Sequence, residues 1–450
     1  MRPGDHSAGP EPRSMLVVLP TWVGDFVMAT PTLRVIRRRF ADAHITFLME
    51  PNLSELVRGG DWMDECIAWP PKTHRSVLHR EYRALTTELR QRRFDWAVLL
   101  PNSFRSAFLA WWIGARRRIG YHRDGRGWLL TDRIPVKNRK PGWWRKTNGE
   151  WRMANGDLPI CAASANPCAR SEAASYGPAI GNRQSAIGNP GASGFPIRPG
   201  PSVRVRMGHR LPRRLGPFVP MPMVEYYADL AEAIGCPRPD DRLELFTTPD
   251  ADAAIQRRLA SAGLGSRRPL VIVSPGAKFG ASKCWPPERF AALCDRLMEN
   301  QQAAMVITCG PGEEPIARAI ATSARNKPMV FDDPRLSLGE LKSLIARGDL
   351  LIGNDAGPRH IAKAFNVPVV TIFGPTHPTW TATSFPDEWI ARVDVDCGPC
   401  QQRDCPPGHH RCMTEVSVAA AYEASRQLLH SRAERFGATF AHEPILPAIR

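Results

Sequence analysis

The hydrophobic positions of this chain form short apolar runs that alternate with helical periodicity. In the first part of the sequence, apolar runs predict strands at Met15–Leu19, Ala43–Met49, Glu65–Trp69 and Phe94–Leu100, and the periodicity predicts helices at Tyr82–Arg93 and Ser103–Gly114. Between the first two strands, Pro20–Asp25 is predicted to turn. A helix is then predicted to begin at Thr30-Pro31, a favourable N-cap and first helical position. Strands alternating with helices at this spacing predict a parallel sheet.

The same alternation returns after Pro220. Strands are predicted at Pro269–Val273, Ala304–Cys309, Leu350–Ile352 and Val367–Phe373, and helices at Met223–Gly235, Pro286–Glu299, Leu336–Ala346 and Val416–His430. A further helix is predicted between Pro358 and about Phe365. The pattern therefore predicts an α/β protein with two doubly wound halves that face each other across a cleft.

Between the two halves the periodicity disappears. The segment is rich in Gly, Pro, Asn, Ser and Arg, and the tetrapeptide AIGN occurs at Ala179–Asn182 and again at Ala186–Asn189. Lys137–Pro217 holds 14 of the Lys and Arg residues against 3 acidic ones, so most of the formal charge of +16 lies here. Such a composition cannot bury enough apolar surface to offset its ordering entropy, so we predict a disordered insertion. Its charge could still attract anionic lipid or nucleic acid.

These patterns define the predicted domain organisation. We predict a disordered leader (1–14), a first Rossmann-like domain (15–136), the basic insertion (137–216), a helix with a linker (217–239), a second Rossmann-like domain (240–415), a last helix (416–432) and a flexible tail (433–450). The chain contains no apolar run near the length of a membrane span, and its N-terminus lacks the apolar segment of a secretory signal. Its 11 cysteines are mostly scattered, which fits a reducing, cytoplasmic location.

The stretch Asp349–Phe373 carries the clearest candidate for a binding site. A strand that ends in a Gly-rich turn and leads into a helix leaves free amides and a positive dipole end, where phosphate binds readily. Asp355 and His360 bracket this turn and offer an acceptor and a donor. The alternative is an ordinary strand–turn–helix corner in which Asp355 is the N-cap of the helix.

Four loops follow predicted strands at the edge where parallel sheets bind ligands. They are Thr21–Asp25, Ser274–Lys283, Gly310–Glu314 and Asn354–His360. The three loops of the second half suit a nucleotide: Lys283 can neutralise a diphosphate, a Glu can accept from ribose hydroxyls, and the turn at Gly357 supplies amides. Asp25 lies in the other half, where a lone carboxylate is a candidate general base for a hydroxyl nucleophile. A capping role for Asp25 fits the spacing equally well.

Two further features leave alternatives open. Trp111 and Trp112, beside Arg116–Arg118, could rest on a membrane surface, but we favour packing against the sheet because apolar stripes at helical spacing are usually core. A second group has ligand types and spacing suited to tetrahedral zinc, or to an RNA-binding zinc knuckle. It comprises Cys397, Cys400, Cys405, His409, His410 and Cys412.

Seven segments, in order, resemble one known family. They are PTWVGDFVMATPTLRVIRR, GYHRDGRGWLLTDRIPV, VPMPMVEYYADLAEAIG, SPGAKFGASKCWPPERFAAL, CGPGEEP, GNDAGPRHIAKAFNVPVVTIFGPT and CGPCQQRDCPPGHHRCM. Together they are similar to the ADP-heptose:lipopolysaccharide heptosyltransferases of glycosyltransferase family 9, and most of all to the heptosyltransferase II group. The resemblance covers most of Met15–Val136 and Pro217–Leu429 and excludes the insertion and both termini.

The resemblance implies a GT-B fold and an inverting, metal-independent transfer of heptose from ADP-heptose to the lipopolysaccharide inner core, the second heptose in particular. It implies catalytic roles for Asp25, as base, and for Lys283, which contacts the diphosphate. The donor site implied by the resemblance comprises Ser274, Gly276, Lys283, Glu313 or Glu314 at the ribose, Asp355, Ala356, Gly357 and His360. In this pattern Lys283, His360 and the helix N-terminus stabilise the leaving ADP. Relatives often carry Ser or Thr at the position of Ala356, so the resemblance implies a phosphate hydrogen bond that Ala356 has no hydroxyl to make.

The implied partners are ADP-heptose and a lipid-anchored lipopolysaccharide core acceptor, reached from the cytoplasmic face of the inner membrane, without nucleic acid. We expect no required cofactor, although Cys397, Cys400, Cys405 and Cys412 would suit structural zinc. Another family 9 transferase with a different sugar or acceptor is the main alternative. A nucleic-acid-binding protein that uses the insertion and the cysteine cluster is the non-enzymatic one. It leaves unexplained why both halves carry loops suited to one nucleotide.

Overall fold

Two six-stranded parallel sheets form the framework of the protein in a computed structural model, which describes residues 10–76, 78–136, 144–147, 150–153, 220–265 and 269–436. The strands of the first sheet are β1 (Ser14–Val18), β2 (His44–Met49), β3 (Glu65–Ala68), β4 (Trp96–Leu99), β5 (Arg117–Tyr121) and β6 (Asp132–Ile134). A separate hairpin pairs β7 (Trp144–Thr147) with β8 (Glu150–Met153). The strands of the second sheet are β9 (Leu270–Ser274), β10 (Ala304–Thr308), β11 (Met329–Phe331), β12 (Leu350–Asn354), β13 (Val369–Phe373) and β14 (Glu388–Arg392).

Helices cover both sheets. Those of the first half and the helix after the insertion are α1 (Val23–Arg39), α2 (Ser54–Val57), α3 (Arg80–Gln91), α4 (Phe104–Trp112) and α5 (Met223–Ala233). Those of the second half are α6 (Pro249–Ser261), α7 (Pro287–Gln301), α8 (Glu314–Ser323), α9 (Leu338–Ala346), α10 (Gly357–Ala364), α11 (Arg411–Thr414) and α12 (Val418–Phe436). No helix within the described ranges has an apolar stretch long enough to cross a bilayer.

The two sheets repeat one topology. The first has the strand order β3-β2-β1-β4-β5-β6, and the second has the equivalent order β11-β10-β9-β12-β13-β14. In each, the order reverses between the first and fourth strands, and ligands of doubly wound sheets bind at this switch point. Asp25, Lys283 and Asp355 lie in the segments that directly follow β1, β9 and β12, Asp25 in the first turn of α1. The predicted α/β class and the two doubly wound halves are confirmed.

The predicted start of the first helix is wrong. Helix α1 begins at Val23, so Asp25 lies in its first turn and Pro31 lies inside it. Proline lacks the amide that would donate to the Val27 carbonyl, one turn earlier. The hydroxyl of Thr30 donates to that carbonyl instead, at 2.7 Å. A helix can therefore continue through a Thr-Pro pair that otherwise reads as an N-terminus.

The favoured interpretation of the tryptophans at the end of α4 is also wrong. The face of α4 that covers the first sheet consists of smaller side chains, among them Ala107, Ala110 and Ile113. Trp111 and Trp112 lie on the opposite face and are about half exposed. The helix is thus apolar on both sides, which its periodicity alone does not distinguish.

The remaining differences concern the chain outside the sheets. The hairpin of β7 and β8 lies where the sequence predicts an insertion without regular structure. The other residues of that segment, most of the predicted leader (1–9) and most of the predicted tail (437–450) lie outside the described residues. The amides of Arg13 and Ser14 donate to Asp95, so the ordered first half begins slightly earlier than predicted.

Candidate active site between the two lobes

The N-terminal ends of α1 and α10 meet where the two lobes face each other. A Cβ atom added to Gly357 would lie 2.7 Å from Cγ1 of Val23, and one added to Gly24 would lie 3.0 Å from Cδ2 of His360. Both distances are shorter than ordinary side-chain contacts, so glycine at each position permits the approach. The first turn of α1, which carries Asp25, therefore lies against the turn that the sequence predicts to bind phosphate.

A buried ion pair joins two loops of the second lobe at this point. Nζ of Lys283 donates to the Asp355 carboxylate at 2.5 Å and to the Asp355 carbonyl at 3.1 Å. The same carboxylate accepts from Thr376 at 2.8 Å and from Arg359 at 2.6 Å. Burial alone would raise the pKa of Asp355, but Arg359 and Lys283 outweigh it and hold the pKa well below its usual range.

These contacts decide the alternative left open for Asp355. The N-cap of α10 is Ala356, and no side chain caps that end of the helix. Asp355 is thus not a helix cap. The remaining amides at the start of α10 stay available to an anion because Ala356 has no side-chain acceptor that could cap them, while Pro358 contributes no amide.

The charge network extends inward from Asp355. The guanidinium of Arg359 also pairs with Glu388 at 2.9 Å, and Lys363 pairs with Glu388 at 2.5 Å. Glu388 accepts a further hydrogen bond from Thr371 at 2.7 Å. All these side chains are buried, so the network holds the start of α10 against β13 and β14. The sequence analysis did not predict Arg359, Lys363, Thr376 or Glu388, whose partners, except for the Asp355–Arg359 pair, lie far apart along the chain.

Asp25 lies across the cleft from this network, and the pKa of its carboxyl is raised. Burial raises the pKa of its carboxyl to about 6, partly opposed by Lys283 and reinforced by Asp355. Lys283 and Asp355 belong to the other lobe, and the close approach of Gly24 to His360 brings the first turn of α1, with Asp25, near them. A carboxylate with a pKa near the working pH is well suited to accept a proton. Asp25 lies within α1, whose N-cap is Trp22, so the capping alternative is wrong here too.

His360 differs from its predicted role in one respect. The side chain is fully buried, and burial, with Arg359 and Lys363 nearby, lowers its pKa well below the usual value. The imidazole is therefore neutral at pH 7. It can contribute a hydrogen bond to a ligand but not a positive charge, so Lys283 and the helix N-terminus are the positive groups of the predicted set.

The structure distinguishes the two glutamates that the sequence left open. Glu313 accepts from the Gly310 amide at 2.8 Å, and its carboxylate lies so close to Gly276 that a Cβ there would overlap it. Glu314 instead points to Arg335, with which it pairs at 2.6 Å. Glu313 thus lies beside the end of β9 that also holds Ser274, whereas Glu314 points away from it.

The cysteine cluster lines a separate cavity of about 210 Å³ next to the β9 loop. Sγ of Cys397 lies 3.8 Å from Nε2 of His409, and Sγ of Cys405 lies 4.0 Å from its Nδ1. Burial and, to a smaller extent, the other three thiols raise the pKa of Cys412 to about 11. Structural zinc here stays a prediction, which elemental analysis of protein purified without chelator tests.

Comparison with known proteins agrees with this geometry. The family model "Glycosyltransferase family 9 (heptosyltransferase)" matches residues 82–146 and 213–410, more than half of the chain. The chain belongs to glycosyltransferase family 9. It is 23% identical over 423 residues to lipopolysaccharide heptosyltransferase 2 of Escherichia coli K12, covering 92% of this chain and 98% of that protein.

Solved structures support the same fold. The family 9 glycosyltransferase of Veillonella parvula superposes with a TM-score of 0.64 at 18% identity, covering 93% of this chain and 97% of the other. The E. coli ADP-heptose lps heptosyltransferase II superposes with a TM-score of 0.62 at 20% identity, covering 93% and 99%. This family 9 member is therefore a glycosyltransferase with the two-lobed fold that the resemblance implied.

Proposed function

We propose that this family 9 enzyme transfers L-glycero-D-manno-heptose from ADP-heptose to the inner core of lipopolysaccharide, with inversion at the anomeric carbon. The second heptose of the core is the favoured product, in line with the name of its E. coli relative. The observation that carries the proposal is the close approach of the first turn of α1, which holds Asp25, to the start of α10 beside the Lys283–Asp355 ion pair of the other lobe.

On the donor side, the second lobe supplies the groups that a nucleoside diphosphate requires. Lys283 carries the positive charge next to the uncapped start of α10, where the amides of Gly357 and its neighbours meet an anion. Glu313 is the ribose-binding carboxylate in this proposal, since it lies beside Gly276 while Glu314 is held by Arg335. Asp355 acts through Lys283 by fixing the position of the ammonium group.

On the acceptor side, Asp25 removes the proton from the attacking hydroxyl. Inversion needs one base on the face opposite the leaving group, together with stabilisation of the ADP that departs. The raised pKa of Asp25 keeps the carboxyl ready to take a proton near neutral pH. His360, being neutral, contributes a hydrogen bond, and Lys283 and the helix N-terminus balance the charge that develops on ADP.

The acceptor in this proposal is lipid-anchored, so the enzyme works in peripheral contact with the cytoplasmic face of the inner membrane. A different sugar or acceptor within family 9 is the alternative for the same site. A nucleic-acid-binding role predicts a different ligand, and thermal shift distinguishes the two. ADP stabilises a nucleotide-sugar transferase, whereas RNA stabilises a nucleic-acid-binding protein.

The central experiment replaces Asp25 by Asn. Transfer from ADP-heptose to a defined core acceptor is expected to be lost, while calorimetry still detects ADP-heptose binding near the native affinity. The matched control is Asp42→Asn, an exposed aspartate after α1, which should leave both properties unchanged. Retained turnover in Asp25→Asn would remove Asp25 as the base.

A further inference from the structure

An aromatic patch occupies one side of the first lobe. Seven large apolar side chains stand out as exposed in the described part of the chain, and four of them lie together here: Phe104 at 46%, Trp111 at 46%, Trp112 at 45% and Trp128 at 63%. Phe108 lies between them, with ring centroids 5.8 Å from Trp111 and 5.4 Å from Trp112. The ring centroids of Phe104 and Trp128 are 6.1 Å apart. Contiguous apolar surface of this kind marks an interaction site.

The patch is built into the fold. Phe104, Phe108, Trp111 and Trp112 follow the spacing of one helical face of α4, opposite the face that covers the sheet. Trp128 is held beside α4 by two arginines, one in β5 and one in the loop that follows β5. Arg118 donates to the Leu129 carbonyl at 2.7 Å and to the Ala115 carbonyl at 2.8 Å, and the buried Arg126 donates to Ser106 at 3.2 Å.

The segment that surrounds the aromatic patch is basic. Residues 101–136 contain seven arginines against two aspartates. Arg105 is exposed next to Phe104, and Arg116, at the far end of α4, is 80% exposed although it pairs with Asp95. Tryptophan at the headgroup level with arginine around it is the composition that binds the interface of an anionic bilayer.

The position of the patch fits a lipid-anchored substrate. Phe104 follows β4 and Trp128 follows β5, so both lie at the carboxyl edge of the first sheet, where α1 with Asp25 in its first turn follows β1. The area also argues against a stable dimer. At roughly 150–250 Å² per aromatic side chain, the exposed fractions leave roughly 300–500 Å², well below the ~800 Å² per partner of a standard interface.

We propose that Phe104, Phe108, Trp111, Trp112 and Trp128 form the surface through which the first lobe docks onto an anionic phospholipid bilayer. The surface holds the cleft next to the headgroups, where the sugar of a lipid-anchored acceptor can enter while its acyl chains stay in the membrane. This inference rests on the proposed function for the identity of the acceptor, but not for the binding to lipid.

The test measures binding of the full chain to vesicles. Native protein is expected to co-float with vesicles of phosphatidylglycerol and phosphatidylethanolamine in equal parts, and its tryptophan fluorescence should be quenched by brominated lipid. The double variant Trp111→Ser/Trp112→Ser is expected to lose roughly tenfold in partitioning per ring, from the apolar area withdrawn from water. Met329→Ser, an exposed apolar side chain on an edge strand of the second lobe, is the matched control and should bind as the native chain does.

Three results would overturn the proposal. They are failure of the native chain to bind these vesicles, equal binding by the double variant, or a concentration-dependent dimer in analytical ultracentrifugation that the double variant abolishes. The last would assign the patch to a second copy of the chain.

An activity measurement separates this inference from the proposed function. Transfer to a core oligosaccharide stripped of its acyl chains should proceed at the native rate in the double variant, whereas transfer to the same acceptor carried in vesicles should fall about as much as the binding does. Loss of both activities in the variant would contradict a docking role. If the native chain transfers heptose to neither acceptor, the proposed function fails, and the vesicle binding is then judged by itself.

Discussion

The raised pKa of Asp25 predicts that its replacement by Asn stabilises the ligand-free protein. The folded-state pKa is about 6, against an ordinary value of 3.8, chiefly because the carboxyl is desolvated. The folded protein therefore holds this proton more tightly than the unfolded chain does. The stability that the protonated Asp25 carboxyl gives the folded protein is fully present below about pH 3.8. This stability is lost as the pH rises through about 6.

The magnitude follows from the size of the shift. About two pKa units at ~1.4 kcal/mol each mean that the ionised Asp25 carboxylate destabilises the folded protein by about 3 kcal/mol. Asp25 is mostly buried but still partly exposed, and solvent screening reduces this to about 2 kcal/mol. Asn has nearly the same shape and no charge, so Asp25→Asn should raise the free energy of unfolding by about 2 kcal/mol at pH 8.

Chemical denaturation of the native chain, Asp25→Asn and Asp42→Asn at about pH 8 and pH 4 tests this reasoning. The stabilisation by Asp25→Asn should shrink to a few tenths of a kcal/mol at the lower pH, where the native carboxyl is protonated in the folded state. The exposed Asp42 should show no such gain. Equal stability of the native chain and Asp25→Asn at pH 8, or a gain that does not depend on pH, would refute the desolvation argument.

Three further predictions concern the same site. The transfer rate of the native chain should fall tenfold per pH unit below about pH 6, because only ionised Asp25 accepts a proton, and a flat kcat/KM profile down to pH 5 would contradict this. Gly276→Ala should weaken ADP binding about tenfold in calorimetry without unfolding the chain, because the new Cβ displaces the Glu313 carboxylate. An affinity for ADP equal to that of the native chain would exclude Glu313 from the nucleotide site. Glu388→Ala should destabilise the fold by roughly 3–5 kcal/mol, since it leaves the buried Arg359 without this carboxylate, and a loss below about 1 kcal/mol in denaturant would contradict the network.

Much of the framework could be predicted because its central strands are continuous apolar runs. The buried strands β1, β4, β9 and β12 stand out in the sequence, and the turn after β12 carries a recognisable Gly-rich pattern. Three of the four edge strands did not stand out. β6 and β11 have three residues each. β14 begins with Glu388, and a charged residue predicts an exposed position unless its buried partners Arg359 and Lys363 are known.

The limits at the candidate site have the same origin. Asp25, Lys283 and Asp355 follow strands and could therefore be predicted as site residues, but the position of Asp25 relative to the other two depends on packing between the lobes. The neutrality of His360 could not be read from its sequence neighbours, because burial in the folded protein is its main cause. The outward direction of Trp111 was misjudged because both faces of α4 are apolar, and periodicity does not say which face meets the sheet.

The most direct test of the account is a transfer assay on the purified native chain with ADP-heptose and a core acceptor that already carries one heptose. The account predicts one ADP released per heptose transferred, and an anomeric configuration in the product, determined by NMR, opposite to that of the donor. Absence of ADP release with every inner-core acceptor, or a product that retains the configuration of the donor, would contradict inverting heptosyl transfer with Asp25 as the base.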